Sequence, residues 1–552
     1  FPIIIIIMVI PFITRLIIYS SGLSGYSWYS NNDILTDFST YYKGYIFIII
    51  SIVCAIISFI YGCLYKNDRK VLKPFILLGI YIVMVLLSTA FSVDRKLSIT
   101  GGISHFESVF VLIGYVVLLF YTYRIQKSEQ DYRIILWVII ASSVLFTIIG
   151  VMQMIGKDII TFDFIQKLIM PRQYWKEYLG KIGFNLTSNA VSLTLFNSNF
   201  ASVYLAMLIP FLISIVMPVD NLSRTANITS SISRNTKRII ILLTVLLTIL
   251  LFKTYSRSGL VAMLSTVGIM LLFYYKHWKK YWKTLCGIVL FAIITFVAID
   301  ALNEFRYVEK IIGTFNSFTT MTNQNTLEKI ITEKEHILIR YQGEEIKVSY
   351  SIKDDTLAAL EFWNKEGEIL SQYYDPEKEI LDVMPFDSIR FFVEEEEDLQ
   401  SPLLYCVIDG ITWRFVRNDM EGYFYLNDFG KTDQLREINR TGFRNTEHIG
   451  SGRGYIWSRS IPLLKETILL GKGPDTFPIV FPQSDYVGKA NNAKTPYTLI
   501  EKPHNMYLMT GIHTGILSLL AVLAFYLIYL FQSIKVYRGC SFHSFIEKVG
   551  LG

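Results

Sequence analysis

The sequence predicts an all-α polytopic membrane helical bundle of about ten or more spanning helices with a small antiparallel β domain inserted on its extracytoplasmic side. Three observations predict it. Hydrophobic residues make up 52% of the 552-residue chain and charged residues only 18%, and the mean hydropathy is +0.40, which excludes a soluble globule. Apolar runs of roughly 18 to 25 residues recur along the chain. Between about residues 303 and 448 the runs stop, charge becomes dense, and the apolar pattern shortens to period two.

The apolar runs fall at 1–18, 45–65, 74–93, 108–124, 134–155, 198–217, 239–256, 259–275, 284–301 and 506–531. Each is long enough to cross roughly 30 Å of hydrocarbon. Pro210 and Pro218 bound the sixth without weakening it, because neighbouring helices can satisfy freed backbone groups. The first run lacks a cationic start and a small-residue cleavage site, so it reads as a span rather than a removable signal. The chain has no initiator methionine and stops soon after a cationic loop, so it reads as a fragment with further spans beyond its C-terminus. The division is a transmembrane bundle over 1–301, a β-rich insertion over 302–448, an outer loop with the catalytic motifs over 449–505, and a last span with a cytoplasmic tail over 506–552.

The net charge of +6 comes from cations in alternate short loops: Lys66, Arg69, Lys70 and Lys73; Arg124, Lys127 and Arg133; Arg224, Arg234, Lys237 and Arg238; Lys276, Lys279, Lys280 and Lys283; Lys535 and Arg538. By the positive-inside rule these loops are cytoplasmic, which leaves 19–44, 94–107, 156–197 and 302–505 outside. The cations are therefore a topology signal and no nucleic-acid partner follows. Five cysteines, Cys54, Cys63, Cys286, Cys406 and Cys540, lack metal-ligand spacing, and no disulfide framework follows from them.

Within the insertion, residues 336–350 alternate around Gln342-Gly343 and residues 403–416 around Asp409-Gly410, both hairpin signals. Residues 362–373 suggest a third hairpin around Gly367. Glu394 to Asp398 lacks the alternating spacing of a calcium loop and reads as a solvated turn. No nucleotide-binding loop, HExxH helix or CxxC pair is present, so chemistry on cytosolic nucleotide sugars has no site here.

The candidate site residues lie on the outer side. Lys253, Ser256 and Arg257 sit where the seventh run meets the eighth. An ionisable group near hydrocarbon is costly and marks a functional position unless it snorkels, and the planar Arg fork grips two phosphate oxygens at once. Asn197 and Asn199 open the sixth span, either as helix caps or as hydrogen-bond partners of sugar or phosphate. Arg453 lies among Gly450, Gly452 and Gly454, which permit close backbone approach or make a flexible linker. Trp457, Ile461 and Leu464 give helical spacing, so residues 455–469 read as a helix along the membrane. His504, with Asn505 and Tyr507, opens the last span, and imidazole is the side chain best suited to take a proton near neutral pH.

In combination these motifs resemble the O-antigen ligases and the related membrane polysaccharide polymerases. The resemblance rests on Asn197-Ser-Asn199, Ser256-Arg-Ser-Gly259, Arg453 with Trp457, Gly471-Lys-Gly-Pro474 with Phe477, and His504-Asn-Met-Tyr-Leu508 followed by Gly515, in order across most of residues 94–531. Three features depart from the pattern. No arginine stands near His105-Phe106-Glu107, His513 replaces a frequent glutamate, and the β insertion is absent from the family's simplest members. The resemblance implies an inverting, metal-independent glycosyltransferase with a GT-C-like helical bundle in the bacterial cytoplasmic membrane, an outward-facing site and no cofactor. Its donor is a glycan on polyprenyl (undecaprenyl-type) pyrophosphate, its acceptor a hydroxyl on a glycan, lipid or cell-wall molecule. Arg257 and Arg453 would hold the pyrophosphate and His504 would act as base, with Lys253, Ser256, Asn197, Asn199, Trp457, Asn505 and Tyr507 binding substrate. A polymerase differs only in its acceptor. A flippase is disfavoured because no internal repeat is evident and the notable charges gather at one surface. A division-type glycosyltransferase would instead lean on a carboxylate such as Asp475 or Glu447, and Asp475 reads more simply as a turn residue after Pro474.

Overall fold

The computed structural model describes residues 1–65, 74–103, 105–125, 128–178, 190–217, 233–273, scattered positions from 282 to 312, and 326–351, 359–395, 401–418, 420–444, 446–493 and 495–538. Five helices in these segments are long and apolar enough to cross a membrane: Tyr41–Leu64, Gln130–Met154, Ser198–Val216, Arg234–Lys253 and Ile516–Tyr537. Pro74–Ala90, Val109–Ile125 and Arg257–Phe273 are shorter apolar helices packed among them. The helices form two groups. Tyr41–Leu64 packs on Val109–Ile125, and Pro74–Ala90 on Ile516–Tyr537. In the other group Ser198–Val216 packs on both Arg234–Lys253 and Arg257–Phe273.

Sequence chemistry explains why these segments sit well in an apolar solvent. Polar side chains inside the helices turn back on their own backbone: Ser51 Oγ donates to Phe47 O at 2.8 Å, Thr147 to Ser143 O at 2.8 Å and Thr244 to Ile240 O at 2.7 Å. No hydroxyl in these pairs is left to face hydrocarbon unsatisfied. Outward faces are large and apolar, as at Ile52, Ile56 and Phe59, which are 55%, 53% and 73% exposed. Small residues mark the tightest crossings. A Cβ on Gly259 would fall 2.4 Å from Ser202 Cβ, which holds the Arg257 helix hard against the helix that Asn197 opens.

Two expected spans differ from the structure. Over 1–18 the helix ends at Met8, a 3-10 turn covers Ile10–Phe12, and Ile17–Ser20 is a strand paired with Ile34–Asp37. Pro11 lacks an N–H and interrupts the run. The run 506–531 is split into Met506–Thr514 and Ile516–Tyr537 by Gly515 at φ 99, so the spanning helix starts ten residues later than expected. The split is fixed from outside the run: Ile516 N donates to Thr467 O at 2.9 Å, Lys472 N to Ile512 O at 2.8 Å and Gly473 N to His513 O at 3.0 Å. The ninth run, 284–301, lies mostly outside the described residues, as do most of the cationic loops.

The insertion is a β domain over 327–433. Strands Leu327–Thr332, Ile337–Tyr341, Glu344–Tyr350 and Leu360–Asn364 form one antiparallel sheet, and seven strands from Tyr374–Asp375 to Thr432–Asp433 form a second in sequence order. Both expected hairpins are present, with Ile337–Tyr341 paired to Glu344–Tyr350 and Leu403–Ile408 to Ile411–Asn418. The third is reduced to a single bridge, Trp363 to Ile369, because the chain then enters a 3-10 turn at Ser371–Tyr373. The two sheets share one core that includes Phe362, Phe391, Trp413, Phe415 and Tyr425.

The segment before the Tyr41–Leu64 helix clasps this domain. Lys431 Nζ donates to the carbonyls of Ser24, Tyr26 and Tyr29 at 2.7, 3.1 and 3.0 Å, Asn427 Nδ2 donates to Ser27 O at 2.8 Å, and Ser27 Oγ donates to Asp433 Oδ2 at 2.7 Å. Tyr425 and Tyr497 hydroxyls also meet at 2.6 Å and Asn491 Nδ2 donates to Leu327 O at 2.8 Å.

Candidate functional site

Arg453 is positioned by the backbone before it. Gly450, Ser451 and Gly452 all take left-handed φ values of 67, 62 and 83°, a reversal that two glycines make cheap. Gly452 also abuts Asn492 O, 2.8 Å from where a Cβ would stand. These three residues kink the helical segment Ile449–Leu463 near its start; it ends six residues earlier than the expected 455–469 segment and does not lie open to the membrane on one face. Tyr455, Ile456, Ser458, Arg459 and Ser460 are all buried, because a buried charge cluster ties the helix to its surroundings: Arg459 Nη1 meets Glu447 Oε1, and Arg459 Nε donates to Asp485 Oδ2 at 2.9 Å.

His504 follows Pro503, whose carbonyl accepts from Trp457 Nε1 at 2.8 Å. This contact locks the Arg453 helix to the His504 turn. His504 itself has φ 49°, a left-handed conformation that costs a non-glycine residue energy and tends to persist where geometry matters. Its imidazole remains reachable from outside, yet reduced solvation, followed by the positive charges of Lys502 and Arg453, lowers its pKa to about 4. The ring is therefore neutral at physiological pH and free to accept a proton.

Ser256 Oγ donates to Asn199 Oδ1 at 2.9 Å, and Arg257 begins the next helix. The neighbouring Phe200 ring carries Lys502 Nζ 4.9 Å from its centroid. Contacts thus link the start of the Arg257 helix through Ser256 and Asn199 to the helix that bears Phe200, on whose ring Lys502 sits, and the charges of Lys502 and Arg453 act on His504. Lys253 lies with its ammonium 6.0 Å from the Tyr255 ring, and its carbonyl accepts from Val191 N at 2.9 Å.

Four residues expected to bind substrate have structural duties here. Asn197 Oδ1 accepts from Asn199 N at 2.8 Å, and Asn505 Oδ1 accepts from Tyr507 N at 2.9 Å and Leu508 N at 3.3 Å; both are helix caps. Trp457 is the latch to Pro503, edge-on to Phe443 at 5.7 Å. Asn199 shares its side chain with Ser256. Tyr507 is 52% exposed and remains open to a ligand. Nor is Gly471-Lys-Gly-Pro474 an empty anion cradle. Its Lys472 and Gly473 N–H groups bind the carbonyls at the helix break, while Val93 N and Ser98 Oγ donate to Lys472 O and Pro474 O at 3.0 Å each.

The sequence reading missed a second layer beside His504. Asp475 is buried, accepts from Gly102 N at 2.7 Å and from the Glu107 backbone, and burial pushes its pKa up to about 8. Glu107 is likewise raised by burial, and His105 is lowered to about 4 by burial and by the charges of Lys502 and His504. His105 Nε2 stands 3.9 Å from Glu501 Oε2. Lys502 is the hub of this group, and its only sequence signal was the charged pair Glu501-Lys502 directly before Pro503-His504.

No family model, curated protein or solved structure matches this chain. The site is therefore read from its own chemistry: a neutral imidazole, guanidinium and ammonium groups around it, and a buried protonated carboxyl behind it. Among the described residues no group of three or more His, Cys, Asp and Glu side chains could hold a metal ion.

Asp475 supports a pH prediction. In the unfolded chain its carboxyl ionises near 3.9, in the folded chain near 8, so between those values the folded state binds the extra proton and stability falls as pH rises. Asp475→Asn keeps the acceptor for Gly102 N without the titration. Its thermal midpoint in detergent should gain on the wild type as pH rises from 4 to 8; parallel pH curves would contradict a buried, protonated Asp475.

Proposed function

We propose that the protein is a membrane glycosyltransferase of the O-antigen ligase type, acting at the outer face of a bacterial cytoplasmic membrane on a polyprenyl-pyrophosphate-linked glycan. The observation that carries this reading is the joining of Arg453 and His504 by the Trp457–Pro503 hydrogen bond, with Lys502 beside them. An acceptor hydroxyl gives its proton to the neutral imidazole of His504 while its oxygen attacks the anomeric carbon. The bond from that carbon to the pyrophosphate oxygen breaks on the opposite face, and the configuration inverts. The electron pair leaves on the pyrophosphate, where Arg453, Lys502 and Arg257 stabilise the developing charge; fixed cations aimed at a leaving group need no reorganisation during reaction. Asp475, held neutral and bonded to backbone, shapes the loop behind the site and takes no part in the proton transfer.

The test is incubation of purified protein with polyprenyl-pyrophosphate glycan and candidate acceptors. Glycan moved to a separate acceptor means a ligase, and a lengthening lipid-linked ladder means a polymerase. Arg257→Lys should impair either reaction strongly, since ammonium cannot reproduce the two-pronged grip. Full turnover by Arg257→Lys removes Arg257 from the machinery; absence of any transfer with all donors sinks the reading.

A further inference from the structure

The β domain and the helix that carries Arg453 enclose a cleft of about 370 Å³ lined by residues 328–330, Arg340, 435–438, Arg440, Arg444, Arg459 and 484–487. Six cationic side chains line it against three carboxylates. The carboxylates are already engaged: Glu328 with Arg340 Nε at 3.0 Å, Asp485 with Arg459 Nε at 2.9 Å, and Glu437 within 4.0 Å of Lys329 Nζ. Arg436, Arg440 and Arg444 are exposed and follow one another at four-residue intervals. Arg440 also reaches Glu447, 3.6 Å away.

We propose that this cleft binds the anionic groups of a glycan, carboxylate or phosphate, and so selects an acidic saccharide as a substrate of the transferase. The class of ligand follows from the lining: guanidinium forks match planar carboxylates and phosphate oxygens, and surplus positive charge in a recess attracts repeated negative charge. The place follows from continuity. Arg459, in the cleft wall, belongs to the same helix as Arg453 and Trp457 and binds Glu447 just before it. An anionic chain seated in the cleft therefore lies against the helix that presents Arg453. That the saccharide is a substrate rests on the transfer reading above; that the cleft binds it does not.

The test uses the full chain in nanodiscs of phosphatidylcholine, with hexagalacturonate, an oligo(glycerol phosphate) and neutral maltohexaose as probes. Both anionic probes should bind and maltohexaose should not, with affinity falling as salt rises. Arg440→Gln with Arg444→Gln should weaken anionic binding by about tenfold or more at an unchanged thermal midpoint, while His504→Asn binds normally. If only one anionic probe binds, that probe names the group recognised. Equal binding of maltohexaose, or arginine-independent binding of the acidic probes, overturns the proposal. Tighter arginine-dependent binding to phosphatidylglycerol vesicles than to either oligosaccharide overturns it in favour of a lipid headgroup. Arginine-dependent binding without transfer on any donor leaves the cleft standing and removes the transferase.

Discussion

Replacing His504 by asparagine is expected to lower glycan transfer by about 10²- to 10⁴-fold, the range over which a positioned general base acts. Asparagine tolerates the left-handed backbone that His504 adopts, so the turn and the Trp457 latch should survive while the proton acceptor is lost. The pH profile gives an independent reading. With the imidazole pKa lowered to about 4, activity should hold as pH falls through 6.5, the ordinary histidine value, and drop only near 4. The sign of each neighbour is fixed: Lys502 and Arg453 oppose protonation, so Lys502→Met should move the acid limb upward. A wild-type limb near 6.5, or a profile indifferent to Lys502, would remove His504 from the role of base. The same depression has a stability consequence. Unfolded histidine takes up its proton below about 6.5 and the folded His504 and His105 only near 4, so stability should decline as pH falls between those values.

Replacing Arg459 by methionine should be the most destabilising single change in the outer region. Arg459 is 5% exposed and sits between Glu447 and Asp485, which are 6% and 9% exposed. Its ring-face contact with Tyr455, 4.4 Å from guanidinium carbon to centroid, adds to this packing. Removing the cation takes the buried guanidinium from Asp485 and leaves Glu447 with only the more exposed Arg440, 3.6 Å away, at a cost of about 3–5 kcal/mol. Thermal unfolding of the protein in detergent measures it. The triple variant Arg459→Met, Glu447→Gln, Asp485→Asn should recover most of the loss, since neutral amides keep the hydrogen bonds from Asn492 Nδ2 and Gly488 N. Arg414→Met, which breaks an exposed pair with Asp428, should cost about 0–1 kcal/mol. Similar midpoints for Arg459→Met and Arg414→Met would show that the buried cluster is not what fixes this helix.

What the sequence disclosed, and what it hid, follows the range of the interactions involved. The hairpins at Gln342-Gly343 and Asp409-Gly410 were legible because two-residue turns demand left-handed residues locally. The long apolar helices were legible because hydropathy is summed along the chain. The break at Gly515 was not, since it is imposed by backbone hydrogen bonds from residues 467–473 that no window over 506–531 contains. Nor was the first run, where a short distance between Pro11 and a paired strand outweighs hydrophobicity. In the site, Arg453 and His504 were named from residue type and order. Lys502 and Glu107 were missed, and Asp475 was set aside as a turn residue, because their meaning arises from contacts such as Asp475 with Gly102, which join distant parts of the chain. Asn197 and Asn505 were ambiguous for the opposite reason: their partners lie only two or three residues away, and capping, left open for Asn197 and shown for both, uses the same amide chemistry as sugar binding.

The clasp of residues 24–29 on Lys431, Asn427 and Asp433 has a further effect. An appendage tethered only by its two linkers would swing and sample many distances from the helices. Here the grip of residues 24–29, together with the bonds of Asn491 and Tyr497, removes that freedom. Fastened at several points beyond its two covalent links, the domain keeps its arginine-lined cleft against the helix that carries Arg453.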